Sequence, residues 1–504
     1  MRPPPGAAVL LVGHGSQLSP DSSEPVHRLR RDLHGSGSFP EVRVAFWKEE
    51  PALSHAFDLV ERRDVFVVPV FMSEGYFTRT VVPRELGLSG PLGHPAGRRV
   101  HCCPPVGTSP RIVEIVRDRA LRSAAVPGRT DLLVVGHGTD RSPSSGDTTR
   151  SVAEALAAQG EFRRVRTAFL DQEPRLSELL GAERPRADRD AAEVVIVPFF
   201  VSRGWHVGTT LPRAMTSGDA HSGGVGHLVR ITEPVGTHSG LADVVVGLVA
   251  DKAAEVGVRI GPERTRGETT TDTRPPSCDA DYRSEATEAR EAFLAWIRAG
   301  DGRFRSFMQS IARWSATGGY EVRHARDRGV ADFQLEPVDN SASVLRLAGR
   351  GADGAHRPLR SAPDLASGWR IAGLSGRALW EVYADLYPGA PVHWHLFREG
   401  RLRVTPYRKL AGVQTGIYAK AAHRTDAEVG ALVQSLCSPG HCLREPVWWS
   451  RDSREAARPN GTAVRGAAPP EGGRGRSHPS GPPIGVPCPR PCAVFLSASV
   501  SGRA

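Results

Sequence analysis

The stretch "LLVGHGS" at Leu10–Ser16 returns as "LVVGHGT" at Leu133–Thr139, so the chain carries one short motif twice. Three further blocks return in the same order: "VRVAFWKEEPAL" as "VRTAFLDQEPRL", "VFVVPVFMSEGYF" as "VVIVPFFVSRGWH", and "PPVGT" as "EPVGT". The two copies are offset by 123 residues in the first two blocks and by 129 in the last two. A constant offset with one step indicates a duplicated domain with one six-residue insertion, near Glu183–Asp190.

Each copy alternates short β-branched runs with longer segments that are rich in Ala, Leu, Glu and Arg. This alternation is typical of βαβ units and a parallel sheet. The runs "DLLVVG" and "EVVIVPFF" are continuously apolar, as expected for strands that are buried on both faces. We therefore predict two α/β lobes with parallel sheets, residues 1–128 and residues 129–259.

The region after the second copy changes in character. Gly261–Ala286 lacks apolar periodicity and is rich in Thr, Pro and charge, which predicts a linker over 260–287. Helical and alternating patterns mix beyond it, which predicts an α+β C-terminal domain over 288–504. Within that domain, the alternation "HWH" at His393–His395 predicts a strand with both imidazoles on one face, either as a metal pair or as an ordinary surface pattern. The Pro/Gly/Arg-rich stretch 453–485 is expected to be disordered.

Composition excludes several classes of protein. The net charge is +10, but the arginines are spread along the chain, whereas a nucleic-acid-binding stripe would be clustered. No run approaches the ~20 apolar residues that a membrane helix needs. The seven cysteines are odd in number and sparse, unlike those of a secreted disulfide scaffold. We therefore expect a cytoplasmic protein that binds neither nucleic acid nor membrane.

Candidate metal ligands fall where strands end, which is where open parallel sheets bind their ligands. In order along the chain, these positions hold His137, Asp171 and His206 in the second copy, and His14, Lys48 and Phe77 in the first. Imidazole with carboxylate suits a divalent metal, or proton removal near neutral pH. A lysine and a phenylalanine suit neither task. We predict a working site in the second copy and a degenerate one in the first; the alternative is that His206 is only the polar edge of a loop.

The motifs "GHGS"/"GHGT", "AF-x-x-x-x-P-x-L" and "VVPVF-x-S-x-G"/"IVPFF-x-S-x-G" resemble those of the class II tetrapyrrole chelatases, the sirohydrochlorin cobalto-/ferrochelatase family. The resemblance covers residues 7–257. It implies two flavodoxin-like lobes and the insertion of a metal ion into sirohydrochlorin. It also implies that His137 and His206 bind the metal, with His14 as a further candidate, and that Asp171 holds the family's acidic position, where Glu is usual.

Arginines flank the signature loops in both copies. Because the substrate of that family carries many carboxylates, an arginine-rich rim would suit bidentate pairing with it. The four candidates are Arg79, Arg84, Arg203 and Arg213. A role as ordinary solvated surface stays open for each of them.

Four cysteines near the C-terminus form two close pairs, Cys437 with Cys442 and Cys488 with Cys492. Two such pairs in a cytoplasmic protein favour a metal centre over a disulfide, and the spacing is not that of a standard zinc ribbon. The region resembles the iron–sulfur domain that some double-domain chelatases carry, which implies a [4Fe–4S] cluster on these four residues. A zinc site, or an unstructured tail with two free cysteines, are the alternatives.

We therefore predict a lyase of the sirohydrochlorin chelatase type that inserts Co²⁺ or Fe²⁺, in cobalamin or siroheme biosynthesis respectively. No "GxxxxGK[ST]" loop is present, so insertion is expected to proceed without ATP. The oligomeric state stays open, since tandem lobes could act as a pseudo-dimer. Two other classes remain: a non-catalytic metal or tetrapyrrole carrier, and an iron–sulfur redox protein whose lobes dock a tetrapyrrole.

Overall fold

The structure is a computed structural model that describes residues 6–16, 22–88, 97–139, 143–181, 193–203, 228–258, 283–315, 318–339, 341, 344, 365–413, 416–437, 442–449 and 485–501. His206, most of the predicted linker and nearly all of the stretch 453–485 lie outside the described residues. The chain divides into two compact units. The first holds Met1–Trp47 and Ala52–Tyr282, and the second holds Lys48–Pro51 and Arg283–Ala504.

The first lobe is an α/β layer structure around a parallel sheet, as predicted. Its strands are β1 (Ala8–Gly13), β2 (Glu41–Phe46), β3 (Asp64–Pro69) and β4 (Arg99–Cys102), and its helices are α1 (Glu24–Gly35), α2 (Val82–Glu85) and α3 (Ile112–Ser123). The order across the sheet is β2-β1-β3-β4, the flavodoxin-like order over these strands. Strand β1 is central and buried along its whole length, which explains its continuous apolar sequence.

The second lobe repeats this topology in the order β6-β5-β7-β8. Its strands are β5 (Thr130–Gly136), β6 (Arg164–Phe169), β7 (Glu193–Pro198) and β8 (Leu228–Ile231), and its helices are α4 (Asp147–Gln159), α5 (Leu176–Gly181) and α6 (Leu241–Val256). All pairings among these strands are parallel. Taken over the described ranges, the chain has no helix that is both long and apolar enough to cross a membrane.

The last helix of each lobe packs against the other lobe. Helix α3 lies against β7 and α4, and helix α6 lies against β3, β4 and α1. One cluster of buried apolar side chains consequently draws on both lobes. Polar contacts link α3 to the turn that precedes α6, since His238 Nε2 lies 2.8 Å from Asp118 Oδ2 and Arg119 donates to Thr237 Oγ1 at 2.9 Å. The duplicated lobes therefore fold around one shared core.

The second unit begins with an α+β layer around a sheet in the order β12-β13-β11-β10-β9. The strands are β9 (Arg305–Phe307), β10 (Ser310–Ser315), β11 (Gly319–His324), β12 (Glu336–Pro337) and β13 (Trp369–Leu374). The helices are α7 (Glu285–Arg298), α8 (Gly376–Leu386) and α9 (Ala390–Arg398). Aromatic rings fill the space between the layers, and Phe293 lies 4.8 Å from Tyr383 and 5.1 Å from Phe307 between ring centroids.

The strand predicted over His393–His395 was wrong, because these residues lie in helix α9. Both imidazoles and the tryptophan between them are buried, so the helix is enclosed on several sides. Three residues are too few to distinguish the two-residue period of a strand from the sequence pattern of a helix that is buried on several sides. The stronger signal was Pro391, which stands in the first turn, where proline is favoured.

The rest of the second unit holds the cysteines. It consists of α10 (Tyr407–Val413), α11 (Asp426–Leu436), β14 (Arg444–Pro446), β15 (Val486–Cys488) and α12 (Ala493–Ser501). The segment "CAVFLSA" packs beside "PVWW", since the rings of Phe495 and Trp448 lie 4.8 Å apart. Phe495 and Leu496 are almost completely buried there.

Candidate metal site and cysteine site

His137 occupies the tight bend that ends strand β5. Gly138 after it has a φ of +66°, a left-handed conformation that favours glycine. A Cβ at this position would also come within 2.6 Å of Gln172 Cβ, so the bend has no room for a side chain. Gly15 repeats the conformation after His14, with a φ of +67°. The "GHG" motif thus turns each chain sharply and leaves the imidazole exposed at the carboxyl edge of the sheet.

Asp171 reaches the same edge from the loop that follows β6. Its backbone N–H donates to the carbonyl of His137 at 3.0 Å, which ties the two loops together. Asp171 Oδ2 consequently lies 3.5 Å from His137 Nδ1, with side-chain exposures of 58% and 51%. The structure therefore brings together two of the three side chains that the strand-end pattern predicted. The third, His206, lies outside the described residues.

The hydrogen bonds of His137 define its tautomer. Nδ1 lies 2.9 Å from the carbonyl oxygen of Gly138, and because a carbonyl only accepts, Nδ1 is the donor. The neutral ring then has its lone pair on Nε2, which is the nitrogen that can ligate a metal. His14 is held in the same way, with Nδ1 2.7 Å from the carbonyl of Gly15.

Two residues that the sequence pattern did not single out brace this loop. The hydroxyl of Ser145 accepts from the N–H of Thr139 at 2.8 Å and donates to Gln172 Oε1 at 2.9 Å. The first loop is thereby connected to the residue next to Asp171. Gln172 stands between Asp171 and the Glu-Pro pair that both copies share. This position could have indicated from the sequence that Gln172 braces the loop.

The corresponding edge of the first lobe is aromatic. The His14 ring lies 5.2 Å from Trp47 and 5.4 Å from Phe77 between centroids, and Trp47 and Phe77 lie 5.1 Å apart. Lys48, at the position equivalent to Asp171, is buried and groups with the second unit. Of the three equivalent positions, only His14 therefore offers a metal ligand.

The arginines that flank the signature loops are paired with glutamates. Arg79 donates to Glu74 at 2.8 Å, Arg84 to Glu85 at 2.9 Å, and Arg203 to Glu233 at 2.8 Å. The hydrogen bond from Arg79 lowers the pKa of Glu74. A substrate carboxylate would have to compete with these partners; the fourth candidate, Arg213, is outside the described part of the chain.

The four cysteines of the second unit lie at the ends of neighbouring elements. Cys437 follows α11, Cys442 precedes β14, Cys488 ends β15, and Cys492 precedes α12. Burial, followed by the Cys492 and Cys442 thiols, raises the pKa of Cys437 to about 12. Burial and then Cys492 raise the pKa of Cys488. Burial, with a smaller effect of Cys442, raises that of Cys492. Cys437, Cys488 and Cys492 also pack against the same apolar cluster, so these thiols share one environment.

These thiols match the ligand set of an iron–sulfur cluster. None of the four forms a disulfide within the described part of the chain, and Cys₄ is the usual ligand set of a [4Fe–4S] cluster. The N–H of Phe495 also donates to Cys492 Sγ at 3.4 Å, as amides do to cluster sulfurs.

Comparison with protein families divides the chain in three. The CbiX family matches residues 8–123 and again residues 131–252. A "DR2241 stabilising domain" matches residues 292–398. A "4Fe-4S iron-sulfur cluster binding domain" matches residues 399–500, which include all four cysteines.

Individual relatives agree with this division. A Halobacterium salinarum protein named "Probable sirohydrochlorin cobaltochelatase" is 35% identical over 292 residues, which are 52% of this chain and 97% of that protein. A sirohydrochlorin cobaltochelatase of Methanopyrus kandleri is 32% identical over 136 residues, 22% of this chain and 93% of its own. A crystal structure from Deinococcus radiodurans, described as a multi-domain protein similar to chelatases with two additional domains, is 27% identical. It covers 99% of this chain and 100% of its own, with a TM-score of 0.74.

The duplicated lobes, the histidine at the carboxyl edge of the sheet and the four-cysteine domain define a class II tetrapyrrole chelatase, an enzyme of the lyase class, with an appended iron–sulfur domain. The chain belongs to the CbiX family.

Proposed function

We propose that this chain inserts Co²⁺, or Fe²⁺, into sirohydrochlorin without ATP. The observation that carries the proposal is the His137–Asp171 pair, 3.5 Å apart and exposed at the carboxyl edge of the second lobe. The names of the Halobacterium salinarum and Methanopyrus kandleri relatives support the substrate and favour cobalt. Cobalt insertion would serve cobalamin synthesis, and iron insertion would serve siroheme synthesis.

Metal insertion requires two pyrrole N–H protons to leave as a dication enters the macrocycle. His137 holds the incoming ion through Nε2, because Nδ1 is committed to the carbonyl of Gly138. We assign His206, the other histidine that follows a strand in the second copy, as a second ligand. Asp171 lies beside the imidazole and accepts a departing proton or balances the charge of the ion. The aromatic counterpart in the first lobe lacks this donor set.

The four cysteines form the second proposed site. Cys437, Cys442, Cys488 and Cys492 would hold a [4Fe–4S] cluster, which supplies one-electron transfer when it is bound. The burial that raises the pKa of Cys437 and Cys488 keeps these thiols protonated without a metal, so cluster binding would release their protons. The apolar residues around Trp448 and Phe495 shield the site from water.

An anaerobic assay of the full-length protein tests the proposed function. Sirohydrochlorin is mixed with Co²⁺, Fe²⁺, Ni²⁺ or Zn²⁺ in turn, with and without protein, and insertion is followed by the absorbance of the macrocycle. We expect protein-dependent insertion of Co²⁺ or Fe²⁺ without nucleotide. A carrier would bind metal or macrocycle without accelerating insertion. A redox protein would show only the spectrum of its cluster.

His14→Ala is expected to retain most of the insertion activity. His14 has the same backbone position as His137, but its equivalent partners are a lysine and a phenylalanine. Steady-state rates of the two alanine variants, measured in parallel with the preferred metal, check this asymmetry. Equal losses in both variants would mean that the metal uses both lobes.

Asp171→Asn is expected to lower insertion activity by about 10- to 100-fold, the usual cost of removing the carboxylate beside a ligating histidine. The loss should be accompanied by a changed pH–rate profile, because the amide cannot accept a proton. Glu173→Gln is the matched control: it removes an exposed carboxylate from the same loop, one that Arg175 pairs with at 3.2 Å. Equal effects of both variants would exclude a specific role for Asp171.

A further inference from the structure

Arg444 stands beside the cysteine site because of the strand that it begins. Two residues after Cys442, it opens β14, which pairs in parallel with β15 so that Pro446 is opposite Cys488. Alternate residues of a strand face opposite sides. Arg444 is accordingly 12% exposed in its side chain, whereas the neighbouring Glu445 is exposed.

Glu50 is the anionic neighbour of Arg444. It belongs to the short segment Lys48–Pro51 that groups with the second unit. Its Oε2 lies 3.7 Å from Arg444 Nη1, too far for a hydrogen bond, and its side chain is 19% exposed. Within the described part of the chain, both atoms are buried without a hydrogen-bond partner, while the other terminal nitrogen of Arg444, Nη2, is 3.4 Å from the carbonyl of Pro388.

A buried guanidinium N–H and a buried carboxylate oxygen that make no hydrogen bond are costly. Because β14 pairs with β15, Arg444 and its neighbour Glu50 lie where their charges can act on a group held by the thiols. The two groups act on the thiols with opposite signs. Burial and then Cys492 have the largest effects on the pKa of Cys488, and both raise it. Of the two charged groups, Arg444 lowers this pKa and Glu50 raises it. Glu50 also raises the pKa of Cys492, after the larger effects of burial, of the Phe495 N–H, which lowers this pKa, and of Cys442.

We propose that Arg444 and Glu50 form an opposed pair of charges that sets the reduction potential of the iron–sulfur cluster. The inference rests on the cluster assigned above. Reduction adds one electron, taken from an external one-electron reductant, and so adds one negative charge to the cluster. Arg444 stabilises that added charge and raises the potential. Glu50 destabilises it and lowers the potential.

The test is a potentiometric titration of purified, anaerobically reconstituted full-length protein with dithionite, followed by electron paramagnetic resonance. Glu50→Gln should raise the midpoint potential and Arg444→Gln should lower it. Each is expected to change the ratio of reduced to oxidised cluster by about tenfold at a fixed potential, which is about 59 mV for a one-electron couple. Arg444→Lys, which keeps the charge, should lie close to the wild type.

Glu445→Gln is the matched control, since it removes a carboxylate from the same strand whose side chain is exposed. Iron and acid-labile sulfide are measured in every variant before the titration. A wild-type protein without iron and sulfide would overturn the cluster assignment, and this inference with it. A loaded Glu50→Gln protein with an unchanged potential, or a Glu50→Gln protein that has lost its cluster, would overturn the inference alone. If only the Arg444→Gln protein loses its cluster, the midpoint potential of the Glu50→Gln protein decides whether the inference holds.

Discussion

His137→Ala is expected to lower kcat/KM for metal insertion by about 100-fold or more, because it removes both a metal ligand and the neighbour of Asp171. The fold should be unaffected. The side chain is half exposed, and substitutions at such surface positions usually change stability by about 0.5 kcal/mol or less. Insertion of the preferred metal into sirohydrochlorin, together with the thermal unfolding midpoint, checks both parts.

His206→Ala should have an effect of the same size if His206 is the second ligand that the repeat pattern predicts. His14→Ala is the natural control for both, since the duplication provides a histidine in the same bend without the partners. Metal binding to the free protein, measured by calorimetry, should fail in the two second-lobe variants and persist in the control. Near wild-type turnover in His137→Ala would remove the basis of the proposed site.

The asymmetry of the lobes has a simple physical origin. The bend at "GHG" and the parallel sheet occur in both copies, which share their glycines and apolar strands. The chemistry depends on a few side chains at the strand ends, and these differ between copies without disturbing the core. Phe77 packs 4.9 Å from Phe71 between ring centroids, which places it in an aromatic cluster at the edge of the first lobe.

The lobes were predictable because their information is local and is repeated. The continuous apolar runs predicted β1 and β5, and strand-end positions predicted that His137 and Asp171 would meet. The exchange of α3 and α6 between lobes was not predictable in this way. An amphipathic helix shows which of its faces is apolar but not which of two similar sheets that face will cover.

The second unit was harder to predict for the same reason. The "HWH" pattern belongs to a helix that is buried on several sides, where periodicity carries little information. Glu50 and Arg444 are far apart in the sequence, and no local pattern connects them. They are close in space because the segment Lys48–Pro51 belongs to the second compact unit. The cysteines, in contrast, are singled out by residue type and pairing, and their role as cluster ligands, which the family resemblance implies, stays a prediction.

Truncation before Arg451 is expected to abolish the iron–sulfur cluster, because it removes two of the four proposed ligands, Cys488 and Cys492. Helix α12 is lost with them, and with it the Phe495 ring that packs on Trp448 at 4.8 Å. Removal of a buried phenylalanine alone costs about 3–5 kcal/mol, so the cysteine region should also lose stability. Iron and acid-labile sulfide assays, with the brown absorbance of the anaerobic protein, measure the first effect. Limited proteolysis measures the second.

A double variant, Cys488→Ser with Cys492→Ser, separates the two causes. It removes the thiol ligands but keeps α12, whose Arg424–Ser499 contact at 2.6 Å and buried Phe495 should still hold the helix in place. We expect it to lack the cluster like the truncated protein, yet to resist proteolysis better. Both variants should keep the shared core of the lobes and, on the proposed function, should still insert metal in vitro. An undiminished cluster content in either variant would show that these cysteines are not ligands, because four thiolates hold a cluster of this type and each variant removes two of them.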